Sequence, residues 1–155
     1  MIKYVNTGVV FQEVPDEVTL SINISNCPCH CIGCHSQYLW EDIGQPLSYI
    51  AMDDMLRKYG NDVTCIGLMG GDASPMEVND MAAYIKSKVP TMKVAWYSGR
   101  PELAEDISLE NFDFIKLGAY VESMGGLDKR TTNQKFFKVE NDLTLTDITS
   151  KFWKK

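Results

Sequence analysis

The strongest constraint on this chain is a change of apolar period that repeats along residues 18–117. Val18, Leu20, Ile22 and Ile24 alternate with Thr19, Ser21, Asn23 and Ser25, the period of two expected of a strand. Leu47, Ile50, Ala51, Met55 and Tyr59 then recur at the spacing of one helix face. Residues 63–69 form a short apolar run, read as a buried strand, that ends in Gly70-Gly71-Asp72. Ser74-Pro75-Met76-Glu77 has the form of a capping box with proline at the first helical position, and Val78, Met81, Ala82 and Ile85 continue the stripe. Residues 92–97 read as another strand ending in Ser98-Gly99, residues 101–106 as a short helix, and residues 112–117 as a further strand. Ahead of this frame, residues 2–5 and 9–14 are expected to pair as a hairpin around Asn6-Thr7-Gly8.

Strands alternating with helices imply βαβ units and a parallel sheet, so the expected fold class is α/β, in one domain over residues 1–155. A chain of 155 residues buries a core without disulfides. In such sheets ligands bind beyond the C-terminal strand ends. The loop after the first strand, Gly70-Gly71-Asp72 and Ser98-Gly99 would all lie along that edge. The net charge of −6 argues against nucleic acid as a partner, because tracking phosphates needs a basic excess. No apolar run is long enough to span a bilayer, and the first residues lack the pattern of a signal peptide. The expected location is the cytoplasm, with no membrane partner.

Of five cysteines, Cys27, Cys29, Cys31 and Cys34 fall within eight residues, and Cys65 stands apart. A disulfide framework would spread them, so the cluster points to metal. Thiolates suit zinc or iron–sulfur. A structural zinc site usually draws on two separated cysteine pairs, and no second pair exists here. The spacing Cys27-x3-Cys31-x2-Cys34 offers three ligands. On a four-iron cluster that leaves one iron open, the condition a catalytic metal needs. Cys29 and Cys65 are read as bystanders, and His30 and His35 are given no role. Gly70 and Gly71 also suit any strand-to-helix turn, and Asp72 a helix start.

The cysteine cluster resembles the CxxxCxxC motif of the radical S-adenosylmethionine (SAM) superfamily, and Gly70-Gly71-Asp72 resembles that family's GGE-type motif after the second strand. Many members carry an aromatic residue before the third cysteine. Here Ile32-Gly33 stands there, close to the Pro-Gly tolerated in the glycyl-radical activase of anaerobic ribonucleotide reductase. Trp40, Trp96-Tyr97-Ser98-Gly99, Gly126-Leu127-Asp128 and Arg130-Thr131-Thr132-Asn133-Gln134 resemble segments of that activase, so the likeness runs nearly end to end. It implies an incomplete, open (β/α) barrel of the radical SAM type, a mostly parallel sheet with helices on its outer face.

It further implies a [4Fe–4S] cluster on Cys27, Cys31 and Cys34, with SAM on the open iron and Gly70, Gly71, Asp72 and Ser98 as cofactor-binding residues. No catalytic residue is expected beyond cluster and SAM. An electron donor such as flavodoxin or ferredoxin would reduce the cluster. SAM cleavage would then yield methionine and a 5′-deoxyadenosyl radical, which removes a hydrogen from a glycine of the partner, an anaerobic ribonucleoside-triphosphate reductase. Other readings are the activase of another glycyl-radical enzyme, such as pyruvate formate-lyase, and a non-enzymatic iron–sulfur or zinc module. The glycine–acid motif separates the last class, which needs no SAM site.

Overall fold

The computed structural model describes residues 1–28 and 37–153. Its centre is one eight-stranded mixed sheet in the order β3-β1-β2-β4-β5-β6-β7-β8. The strands are β1 (Lys3–Val10), β2 (Thr19–Ile24), β3 (Gln45–Pro46), β4 (Cys65–Met69), β5 (Lys93–Tyr97), β6 (Phe114–Leu117), β7 (Lys135–Val139) and β8 (Leu145–Asp147). Two α-helices accompany them, α1 (Tyr49–Tyr59) and α2 (Pro75–Lys88). Strands β2, β4, β5 and β6 pair in parallel, while β1, β3, β7 and β8 add antiparallel flanks.

This overturns the expected barrel. A radical SAM (β/α) barrel is rich in helices, and this fold has only α1 and α2 among its described residues. Residues 140–144 between β7 and β8 are too few for a crossover helix, so the pair closes as a hairpin with Leu143 at φ 65°. The N-terminal hairpin also fails to form. Residues 3–10 run straight through Asn6-Thr7-Gly8 as β1, because β2 and β3 supply its partners. Residues 101–106 are not helical; the β5–β6 connection carries only a 3₁₀ turn at Leu109–Asn111, pinned to α2 where Ser108 N donates to Asn79 Oδ1 at 2.8 Å.

Both helices pack on one face. Met52 and Met55 of α1 and Val78, Met81, Ala82 and Ile85 of α2 meet Leu20, Ile22, Ile66, Leu68, Val94, Trp96 and Ile115 of the strands. The opposite face is covered without helices, by Val14, Phe136 and Phe152 around Cys65, Ala95 and Phe114. Burial on both faces is why β4 reads as a continuous apolar run rather than as an alternation. Ser48 caps α1, its hydroxyl accepting from Ala51 N at 3.1 Å. The expected capping box at α2 does not close. Ser74 makes no side-chain cap, and Glu77 accepts from Ile2 N at 3.1 Å instead. Among the described residues no helix is long and apolar enough to cross a membrane.

Cys65 is fully buried on the helix-free face, and burial pushes its thiol up to about 12 from 9.0. The unfolded chain loses this proton near pH 9 and the folded chain does not, so stability falls as pH rises from 9 to 12. Chemical denaturation across that range should show a slope from this group of up to about 1.4 kcal/mol per pH unit. Cys65→Ala, less stable at neutral pH, should show a shallower slope; an identical slope would exclude Cys65 as its source.

Candidate functional site

The parallel strands place their C-terminal ends side by side. Asn23 pairs with Met69, Met69 with Tyr97, and Tyr97 with Lys116. The residues just beyond each strand therefore lie along one edge: Asn26 and Cys27 after β2, Gly70-Gly71-Asp72 after β4, Ser98-Gly99 after β5 and Gly118 after β6.

At β2 the chain turns off the sheet at Asn26, whose φ is 58°. Two backbone hydrogen bonds clamp the chain at this exit. Asn26 N donates to Glu41 O at 2.9 Å and Cys27 N to Leu39 O at 2.8 Å. Cys27 sits at this root as a half-buried free thiol. Cys31 and Cys34 lie outside the described residues, as do Cys29, His30 and His35. Among the described residues no three His, Cys, Asp or Glu side chains come together as metal ligands.

The turn after β4 is built from positive φ. Gly70 has φ 114° and Gly71 φ 93°, conformations that suit glycine. Space forbids a side chain as well: a Cβ on Gly71 would meet Val78 Cγ2 at 2.4 Å, and one on Gly70 would meet Ile24 O at 3.0 Å. The turn's carbonyls have donors already. Trp96 Nε1 donates to Gly70 O at 2.7 Å, and Ser74 N to Gly71 O at 2.9 Å.

Asp72 is buried at 2% exposure, and its carboxylate is committed to β5. Ser98 Oγ donates to Oδ1 at 2.6 Å and Gly99 N to Oδ2 at 2.7 Å. Arg100 Nη2 donates to Asp72 O at 2.7 Å, and its Nε lies 3.6 Å from Oδ1. Ser98 is buried too and accepts from Arg100 N at 3.1 Å. Four residues expected at the cofactor thus do come together, but the geometry makes Asp72 and Ser98 partners of each other. They position the turn.

Sequence reasoning passed over two cations here. Arg100 closes over the Asp72 turn. Lys116 is buried and donates to Gly118 O at 2.7 Å and Ser98 O at 3.2 Å, with its ammonium 6.0 Å from the centre of the Tyr97 ring. A lysine inside the apolar run Phe114–Leu117 was the available sign. The segment 130–134 has a structural part of its own. Thr131 Oγ1 donates to Met124 O at 2.6 Å, Thr132 Oγ1 to Gly125 O at 3.1 Å and Asn133 Nδ2 to Ala119 O at 3.0 Å, so these side chains brace residues 118–125. Arg130 instead lies over the Trp153 ring at 5.2 Å.

Comparison with protein-family models, with curated proteins and with solved structures found no match. The site therefore rests on its own residues.

Removing the Asp72 carboxylate strands a buried hydroxyl and a backbone N–H, each costing about 1–3 kcal/mol. In urea titrations Asp72→Ala should lose more stability than Ser98→Ala. The double variant should lose less than the sum, with a coupling of about 0.5–3 kcal/mol. Strict additivity would mean that the two side chains do not act together.

Proposed function

We propose that this chain is a radical SAM activase. It would hold a [4Fe–4S] cluster on Cys27, Cys31 and Cys34, bind SAM, and generate a glycyl radical on an anaerobic ribonucleoside-triphosphate reductase. The observation that carries the reading is convergence: the clamped root at Cys27, the Gly70-Gly71 turn and the Ser98 strand end share one edge of four parallel strands. The reading rests on that edge alone and draws nothing from the open, helix-rich barrel that the fold overturned.

Three thiols spaced x3 and x2 in the sequence suit the cluster, and Cys27, the one of them among the described residues, is not walled in as Cys65 is. When bound, the cluster and SAM supply the one-electron cleavage and the hydrogen abstraction, with the electron coming from a donor such as flavodoxin or ferredoxin. The chain's own residues bind and orient. A carbonyl has two lone pairs, so Gly70 O and Gly71 O can each accept a further bond, from the ammonium of SAM. Such charge-assisted bonds are the stronger kind. Asp72, Ser98 and Arg100 fix the direction of those carbonyls. Lys116 ties the Ser98 and Gly118 carbonyls of the same row together. A cytoplasmic location belongs to this reading, since thiols stay reduced there and so suit cysteine ligands.

Anaerobic reconstitution with iron and sulfide tests the reading. The protein should gain cluster absorbance and cleave SAM to 5′-deoxyadenosine with a strong reductant. Cys27→Ala, Cys31→Ala and Cys34→Ala should each lose the cluster, while Cys29→Ala and Cys65→Ala keep it. With the reductase present, electron paramagnetic resonance should show a glycyl radical. Tight zinc binding without any SAM cleavage would replace this reading with a metal-binding module.

A further inference from the structure

Large exposed apolar side chains gather where the two helices begin. Met1 is 77% exposed, Ile50 75%, Met76 59% and Tyr49 49%. Met1, Tyr49 and Ile50 border one cavity of about 470 Å³, floored by Ile2, Leu47 and Met81. Met76 lies in the first turn of α2, beside Glu77 on the cavity's rim. Single exposed apolar residues are ordinary on a surface, but a contiguous group around an apolar hollow marks an interaction surface.

The position of this patch relates it to the site. α2 runs from the C-terminal end of β4 back to the start of β5, and α1 follows β3, which pairs with the start of β1 beside the end of β2, so both helices begin at the site's edge. Ser74 N donates to Gly71 O at 2.9 Å, which starts α2 directly on the glycine turn. A second, smaller cavity of about 260 Å³ shares Met1, Ile2 and Glu77 with the first and reaches Ser25, Asn26 and Gly71. The apolar hollow therefore adjoins, through this polar cavity, the edge that carries Cys27.

Its charge selects an occupant. Glu77 lies 3.4 Å from the terminal ammonium, while Asp80 is exposed and makes no ion pair among the described residues. With Glu77 paired to that ammonium, Asp80 leaves the rim one acid in excess, on a chain of net charge −6. A second copy would set acidic rim against acidic rim, which is unfavourable. We infer that this face docks the protein substrate, through a segment that presents apolar side chains flanked by lysine or arginine. The inference rests on the activase reading, and it names the surface through which the reductase is held beside the site. The apolar anchor fills the hollow at Ile50, and a flanking cation meets Asp80.

The reconstituted full chain and the reductase test it. Ile50→Glu and Asp80→Lys should each weaken the complex at least about tenfold in anaerobic sedimentation, while Ile50→Leu leaves it near wild type. Wild-type affinity should fall as salt rises from about 0.05 to about 0.3 M. Partner-free SAM cleavage should be unchanged in all three variants. Glycyl-radical yield in Ile50→Glu should drop at low reductase and recover at high reductase. A wild-type protein that cleaves no SAM defeats the activase reading, and this inference with it. If the wild type makes the radical and Ile50→Glu and Asp80→Lys still bind the reductase as tightly, the docking face alone is overturned. Loss of partner-free SAM cleavage in Ile50→Glu would also overturn it, assigning the patch to the SAM site.

Discussion

The buried carboxylate of Asp72 is the joint on which the functional edge depends. A carboxylate at 2% exposure is costly unless hydrogen bonds replace its water. Ser98 Oγ and Gly99 N supply two, and the result ties the end of β4 to the end of β5. From there the bonding runs on sideways. Arg100 reaches Asp72 O, Gly118 N donates to Arg100 O at 2.7 Å, and Lys116 donates to Ser98 O and Gly118 O. Three strand ends are thus held in one row by polar contacts, while the helices and apolar side chains hold the strands themselves. Two glycines at positive φ, inherently free, become fixed because the residue after them is fixed.

The sheet around this joint is asymmetric in how it is covered. One face has α1 and α2; the other has Val14, Phe136 and Phe152, brought by a loop, an antiparallel strand and a terminal 3₁₀ turn. Glu17 reinforces the loop through Lys93 and Thr64, and the Tyr97 hydroxyl donates to Glu13 O. Antiparallel flanks end the parallel run on both sides. A further parallel strand would need a crossover, and the described residues after Leu117 contain no α-helix to make one.

Local period told most of the central frame. The β2, β4, β5 and β6 strands and both helices lie within a few residues of their apolar patterns, because those patterns record burial; the face expected of α1 is the exception, since its Ile50 is exposed and Met52, outside it, is buried. Where several partners compete, the sequence was silent. Residues 3–10 carry turn-forming Asn6 and Gly8, yet become one strand because β2 pairs along both halves and β3 with the start. Lys135–Val139 has a single fully buried residue, Phe136, so no alternation marks it as a strand. The glycine motif was legible, but not its internal bonding. Nothing in Gly70-Gly71-Asp72 or Ser98-Gly99 alone says that acid and hydroxyl would satisfy each other across 26 residues.

Cys27 and Cys65 show how position, more than residue type, decides chemistry here. Both thiols belong to the same four-strand parallel run. Cys65 begins β4, at the end of the sheet away from the site, under Val14 and beside Ala95, where burial keeps it protonated and out of reach. Cys27 comes after β2, at the other end, where the backbone leaves the sheet and the walls of the core stop. A thiolate ligand needs access and a place for its charge. Only the second location offers access, next to the exit of the chain from β2. The parallel direction of the four strands produces that difference. It gathers every strand-to-loop exit at one end, and leaves the opposite end for packing.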